Sequence, residues 1–290
     1  MFEDKASATA LGAALHRATH QLLDRPAIFP DPLALRIIGR EAEKTLREGK
    51  CRHILPGAVG LRAFLVVRSR FTEDCLAEAM ARGVGQYVLL GAGLDTFAYR
   101  GAYDPARLRI FEVDHPATQE WKRGRLREAE ITAPASVFYA PVDFERETIA
   151  EGLARAGFDF TAPAFFAWLG VVPYLTREAV MDTLRFVAER TGASSEIVFD
   201  YPETADTMSP VQRRAMQMLA ARTDAVGEPF RTAFKPDEIK NALLALGFNR
   251  IVDMDATALN ARYCSGRDDA FALRGNAHIM RAGTRMGEAS

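Results

Sequence analysis

Two glycines, an arginine and two aspartates carry most of the chemistry that can be read from this chain. Gly91 and Gly93 stand directly behind the apolar run Gln86–Leu90, where missing side chains let a ligand approach the backbone closely. Asp114 closes a second apolar run twenty-one residues after Gly93. That spacing matches the roughly twenty residues expected before a carboxylate that accepts hydrogen bonds from ribose hydroxyls. Asp143 stands at the mouth of a third run, where its carboxylate could meet an adenine amino group. A lone GxG is as readily a tight turn, and each acid can instead be a helix cap or a loop ion-pair partner. Three neighbouring strand ends with matching polar chemistry together describe a nucleoside site.

The third glycine of a dinucleotide fingerprint would fall at position 96, which is Thr96, and the stretch to the next strand is short, with Gly101 and Pro105 in it. Close packing against a pyrophosphate is disfavoured. A nucleoside without phosphate, such as S-adenosylmethionine, makes fewer demands here, and its amino acid end carries a carboxylate. Arg68 suits that carboxylate, because Phe64, Arg68, Phe71 and Cys75 step along one apolar helix stripe. An inward guanidinium requires a partner, and its planar fork matches a carboxylate at two points. That partner is either the cofactor or a protein acid such as Asp4, Glu73 or Asp95. Arg70 is turned away from the stripe and expected in solvent.

In-line transfer of a methyl group asks for positioning at roughly 3 Å and exclusion of water. A carboxylate acceptor needs no general base, whereas a phenol or alcohol does. Tyr174, Tyr201 and His115 are the candidate bases near the same edge. Tyr174 reads rather as a packing or orienting residue, and His115 before Pro116 also reads as the start of a helix. His16, His20, His53 and His278 lack metal-ligand spacing, so no metal is expected. No GxSxG elbow marks a hydrolase. Phe29, Trp121, Phe165, Phe166, Trp168 and Phe230 could line an acceptor pocket, with core packing as the default for each.

The elements that must position these residues follow from hydrophobic pattern. A helix is expected over residues 61–82, ended by Gly83. Buried strands are expected at 86–90, 108–113, 136–140, 164–170, 196–200, 250–254 and 276–282, because runs apolar on both faces are strands covered by helices. Helices follow Thr176, running to Arg190, and Pro236, running from 237 to 246. The order predicts an α/β fold: a doubly wound, mostly parallel seven-stranded sheet with ligands at the carboxyl ends of its strands. One domain spanning 1–290 is expected. Residues 1–60, broken at Pro26, Pro30, Pro32 and Pro56, read as an N-terminal helical cap, and 201–236 as a helical insertion forming a lid. Met208, Met216 and Met218 in that insertion suit either an adaptable surface or ordinary helix packing.

Composition bounds the rest. The 290 residues carry 37 Lys plus Arg against 38 Asp plus Glu, a net charge of −1, with 48% hydrophobic residues, so no basic surface for nucleic acid is indicated. No apolar stretch approaches the ~20 residues of a membrane span, and the opening MFEDKASATA lacks a signal peptide's basic and apolar regions. Three cysteines without CxxC spacing suit a reduced cytoplasm. No repeat is present, and nothing in the pattern sets an oligomeric state.

RSRFTED (68–74), YVLLGAGLDTFAYR (87–100), FEVDHPATQEWK (111–122) and WLGVVPYLT (168–176) together resemble the leucine carboxyl methyltransferase-like branch of the class I S-adenosylmethionine-dependent methyltransferases. The resemblance implies that Arg68 takes the methionyl carboxylate, Gly91 and Gly93 give backbone contacts, Asp114 takes the ribose hydroxyls, and Asp143 with Phe144 lies beside adenine. Phosphatase-methylating members have a glutamate after the fourth strand, where this chain reads Trp168, Leu169 and Gly170, so a cofactor contact there would shift to backbone or ring. The departure also loosens any transfer of a protein C-terminal carboxylate as substrate. A small-molecule O-methyltransferase is expected, most directly acting on a carboxylate. The alternatives are an NAD(P)-dependent oxidoreductase, against which Thr96 and Arg68 count, and a protein that binds S-adenosylmethionine without turning it over.

Overall fold

The computed structural model describes residues 7–284 except Ala102 and Glu145, together with the backbone but not the side chain of Thr207. Among the described residues seven strands form one sheet: β1 (Gln86–Leu90), β2 (Arg109–Asp114), β3 (Val137–Pro141), β4 (Ala164–Trp168), β5 (Glu196–Pro202), β6 (Arg250–Met254) and β7 (Ala277–Gly283). Their order across the sheet is β3-β2-β1-β4-β5-β7-β6. β1 to β5 pair in parallel, while β7 runs antiparallel between β5 and β6. Connections from β1 lead outward to β2 and β3 on one side, and β4 and β5 build the other side. The crevice therefore opens at the carboxyl ends of β1 and β4, where the direction of winding reverses.

The same residues form ten helices around the sheet: α1 (Ala8–Leu23), α2 (Ala34–Ile37), α3 (Arg40–Arg47), α4 (Val59–Ala81), α5 (Pro116–Glu128), α6 (Ile149–Arg155), α7 (Arg177–Arg190), α8 (Pro210–Asp224), α9 (Pro236–Ala245) and α10 (Ala256–Tyr263). Local chemistry explains their ends. Thr176 accepts the Ala179 N–H at 3.3 Å at the start of α7, and Ser209 with Gln212 makes a reciprocal cap at the start of α8. Gly247, at φ 95°, closes the turn after α9.

Side chains alternate along each strand and so divide the interior into two cores. Tyr87, Leu89, Phe165, Ala167 and Val198 face α1 and α4. Val88, Leu90, Phe166, Trp168, Phe199 and Tyr201 face α6, α7 and α9. Phe29, Phe165, Phe166 and Trp168 are buried in these cores, Trp121 packs half-buried against the first, and Phe230 lies against the Tyr174 ring at 5.3 Å. No helix of the described residues is long and apolar enough to cross a membrane.

Among the described residues between β1 and β2 the chain makes only a 3-10 turn, Phe97–Tyr99, so among them no helix N-terminus is aimed at a phosphate. Thr96 has a different task. Its Oγ1 donates to Asp31 Oδ2 at 2.7 Å, and Arg17 Nη2 donates to the Leu94 carbonyl at 2.6 Å. The loop after β1 is thereby tied to the N-terminal segment.

Candidate active site

The site is built from strand ends. Gly91 and Gly93 follow β1 at φ 73° and 45°, a region that side-chain-bearing residues rarely enter. A Cβ on Gly91 would collide with Val171 Cγ2, and one on Gly93 would lie 3.1 Å from Ala10 Cβ. The first turn of α1 thus rests directly on the glycine loop. Gly91 N–H donates to the Val113 carbonyl at 2.8 Å, pulling the loop across toward β2.

At the end of β2, Asp114 Oδ2 accepts the Gly93 N–H at 2.6 Å and Oδ1 accepts the His115 N–H at 2.7 Å. Burial pushes its pKa up, and these two N–H groups oppose the shift. An ionised carboxylate has about four acceptor positions, so capacity remains on both oxygens for a vicinal diol. The loop and this acid are held as one unit. After β3, Asp143 is half-buried with Arg146 at 3.4 Å, and Phe144 is exposed. Pro116, Pro141 and Asp143 share a shallow depression beside the end of β2.

Arg68 lies on α4 facing the sheet, 8% exposed, as its helical stripe requires. Its Nη1 donates to Asp200 Oδ2 at 2.9 Å, a partner that none of the acids considered from sequence anticipates. Glu73 pairs with Arg100, and Asp95 accepts the Phe97 N–H. Asp4 lies outside the described residues. Arg70 is not simply in solvent: it is half-exposed, paired with Asp74 and donating to the Ile28 carbonyl. Asp200 Oδ1 accepts the Gly170 N–H at 2.6 Å, and Gly170 sits at φ 70°, where a Cβ would lie 2.8 Å from both terminal nitrogens of Arg68. The glutamate-less turn after β4 is therefore pressed onto a guanidinium whose acid comes from β5. Asp200 offers one signal in the sequence, that it closes a buried run as Asp114 does, and that signal does not name Arg68 as its partner.

The three candidate bases are not brought together. Burial pushes the Tyr174 hydroxyl up to about 12, near Thr9, Glu228, Arg68 and Asp200. Tyr201 is fully buried on the opposite face of β5 from Asp200, its hydroxyl donating to Asp253 Oδ2 at 2.9 Å, and burial with the Asp253 charge raises its pKa further. His115 Nδ1 accepts the Ala117 N–H at 3.3 Å and caps α5. Among the described residues no group of histidines, cysteines or acids could hold a metal ion.

A parallel sheet with one reversed strand inserted between β5 and β6, a glycine loop after β1 and an acid closing β2 defines the class I methyltransferase type. The leucine carboxyl methyltransferase model matches residues 10–188. YktD of Bacillus subtilis (strain 168), named for S-adenosyl-L-methionine-dependent methyl transfer, is 30% identical over 97% of this chain and 99% of its own. SCO7813 of Streptomyces coelicolor, named likewise, is 35% identical over 66% of this chain and 67% of its own. A solved structure from Thermobifida fusca YX, titled as a methyltransferase, superposes with a TM-score of 0.57 at 21% identity, covering 98% of this chain and 97% of that one. The chain belongs to the leucine carboxyl methyltransferase family of class I S-adenosylmethionine-dependent methyltransferases.

Proposed function

We propose that the chain transfers the methyl group of S-adenosylmethionine to an oxygen of a small molecule, and that this oxygen belongs to a carboxylate. The observation that carries the reading is the absence of an available base among the candidates: Tyr174 and Tyr201 are held protonated, and His115 spends Nδ1 on Ala117. A phenol or alcohol must lose its proton to react, whereas a carboxylate arrives already ionised. Bound S-adenosylmethionine supplies an electrophilic methyl group on a sulfonium. The chain supplies the positioning: Gly91, Gly93 and Asp114 for the nucleoside, Asp143 and Phe144 beside the base, and Arg68 for the methionyl carboxylate.

The walls of the acceptor pocket are then the cap of residues 1–60 and the lid of 201–236. Thr9 N–H donates to Glu228 Oε2 at 3.0 Å, joining the two segments across the edge. Three free cysteines, Cys51, Cys75 and Cys264, support a reducing, cytoplasmic setting.

The test is transfer of labelled methyl from S-adenosylmethionine to benzoate, octanoate, phenol and a leucine-terminated peptide. Transfer to acids at a rate flat from about pH 6 to 9 is expected, because their carboxylates stay ionised throughout. Transfer to phenol alone, with a rate climbing toward the phenol pKa, would overturn the carboxylate reading, and preference for the peptide would replace the small-molecule one.

A further inference from the structure

We propose that Asp200 is a direct ligand for the ammonium group of the cofactor's amino acid end, so that Arg68 and Asp200 read a zwitterion between them. The proposal rests on the methyltransferase reading and adds a residue to it. Its starting point is an electrostatic problem. The ammonium and the carboxylate of an amino acid sit on the same carbon, so a site that offers only a buried guanidinium attracts one and repels the other. An acid has to stand beside Arg68 for the tail to be bound as a whole.

The structure puts one acid there. Asp200 comes from β5, 132 residues from Arg68 in the chain, and meets Nη1 at 2.9 Å with both residues nine-tenths or more buried. The pair sits beside the turn after β4, at the crevice where the winding reverses. Gly170 donates its N–H to Asp200 Oδ1, and the absence of a Cβ there is what admits the guanidinium. Each Asp200 oxygen has accepted one hydrogen bond, and each keeps room for a second. An ammonium, with three donors and no acceptor, is the group that such a half-satisfied carboxylate takes best.

Stability alone does not account for the arrangement. A buried ion pair gains little over apolar packing of the same volume, and here it stands where the sheet topology places a ligand. Tyr174 feels the charge of both members, so the pair faces the same edge as the lid. From sequence, the missing glutamate after the fourth strand leaves only backbone or ring to meet the cofactor there. In the folded chain an acid from the neighbouring strand stands in that place instead.

Calorimetric titration of the full chain separates the possibilities. Three probes are used: S-adenosylhomocysteine, 5′-S-(3-aminopropyl)-5′-thioadenosine, which keeps only the ammonium, and 5′-S-(3-carboxypropyl)-5′-thioadenosine, which keeps only the carboxylate. In Asp200→Asn, S-adenosylhomocysteine and the aminopropyl compound should weaken about ten- to a hundredfold, the scale of a charged hydrogen bond. The carboxypropyl compound should stay within about threefold. Equal weakening of the carboxypropyl compound would overturn the proposal, because Asp200 would then act only by holding Arg68.

A measurement on the unmodified chain keeps the test independent of the variant's folding. The aminopropyl compound should bind at least about tenfold more tightly than the uncharged 5′-S-propyl-5′-thioadenosine. No difference between those two, with S-adenosylhomocysteine still bound, contradicts the ammonium site. No binding of S-adenosylhomocysteine contradicts the underlying reading instead.

Discussion

The ends of β1 and β2 and the ends of β4 and β5 are built by opposite means, and under the proposed function they meet two different recognition problems. On the first side the backbone does the work: Gly91 and Gly93 give up side chains, and the N–H groups of Gly93 and His115 fix both oxygens of Asp114. On the second side full charges do it, with Arg68 from α4, Asp200 from β5 and the bare turn at Gly170 closing on each other. A diol is neutral and needs acceptors of fixed direction. A zwitterion needs two charges, and those are stable in a buried place only as a pair. The proposed nucleoside side is thus rigid by local geometry, while the proposed tail side is held by a long-range pair that either partner can undo.

The largest break of that contrast is Arg68→Ala. It leaves Asp200 buried with no cation opposite, and urea unfolding should show a loss of about 3 to 5 kcal/mol. Asp200→Ala introduced into the same chain should return part of it, since removing both charges removes the stranded one. Losses that simply add would mean that the two residues are not coupled.

A second expected effect concerns the cationic surroundings of α1, which extend as far as Arg68. His16, on α1, is buried with its Nδ1 unpartnered and its ring edge-on to His53 at 4.6 Å. Burial first, then the charges of His53, Arg62, Arg52 and Arg68, push its pKa from 6.5 to about 3. The unfolded chain binds a proton there in a pH range where the folded chain does not. Its contribution to stability is therefore complete above about pH 6.5 and is lost as pH falls toward 3. Between about pH 7 and 5 that is worth about 2 kcal/mol for this histidine. His16→Leu should flatten the fall in Tm across the interval. An unchanged pH dependence would place the acid sensitivity elsewhere.

The smallest effect sharpens the nucleoside side. Thr96→Val removes the hydrogen bond to Asp31 and leaves a buried carboxylate oxygen short of a donor. The expected cost is about 1 to 2 kcal/mol in thermal unfolding. Wild-type stability would show that the loop is held without its tie to the N-terminal segment.

The same contrast explains what is legible in the sequence. The glycine loop and Asp114 can be read because a strand, its turn and the next strand end are contiguous, so that pattern and spacing locate all three. The expected helix at 61–82 is α4 at Val59–Ala81; β1 and β6 fall where expected, and the other five strands differ by one or two residues at their ends. That Arg68 points inward follows from its stripe. Its partner does not, because which acid meets it depends on the crossing of α4 over β5 and not on any local spacing. Tyr201 shows the same limit at closer range: it adjoins Asp200 in sequence, yet the pleat sends the two side chains to opposite faces. Thr96 stands out in the sequence only for the glycine it replaces, while its bond to Asp31 needs the fold of the N-terminal segment.

The most direct test of the account is the ratio of affinities for S-adenosylhomocysteine and 5′-methylthioadenosine, which share a nucleoside and differ in the amino acid tail. By calorimetry the intact chain should prefer S-adenosylhomocysteine by about a hundredfold or more, on the scale of two charged contacts. Arg68→Ala should collapse that ratio, whereas Asp114→Asn should weaken both ligands alike and leave it standing. A ratio that survives Arg68→Ala and is lost in Asp114→Asn would contradict the assignment of the two sides.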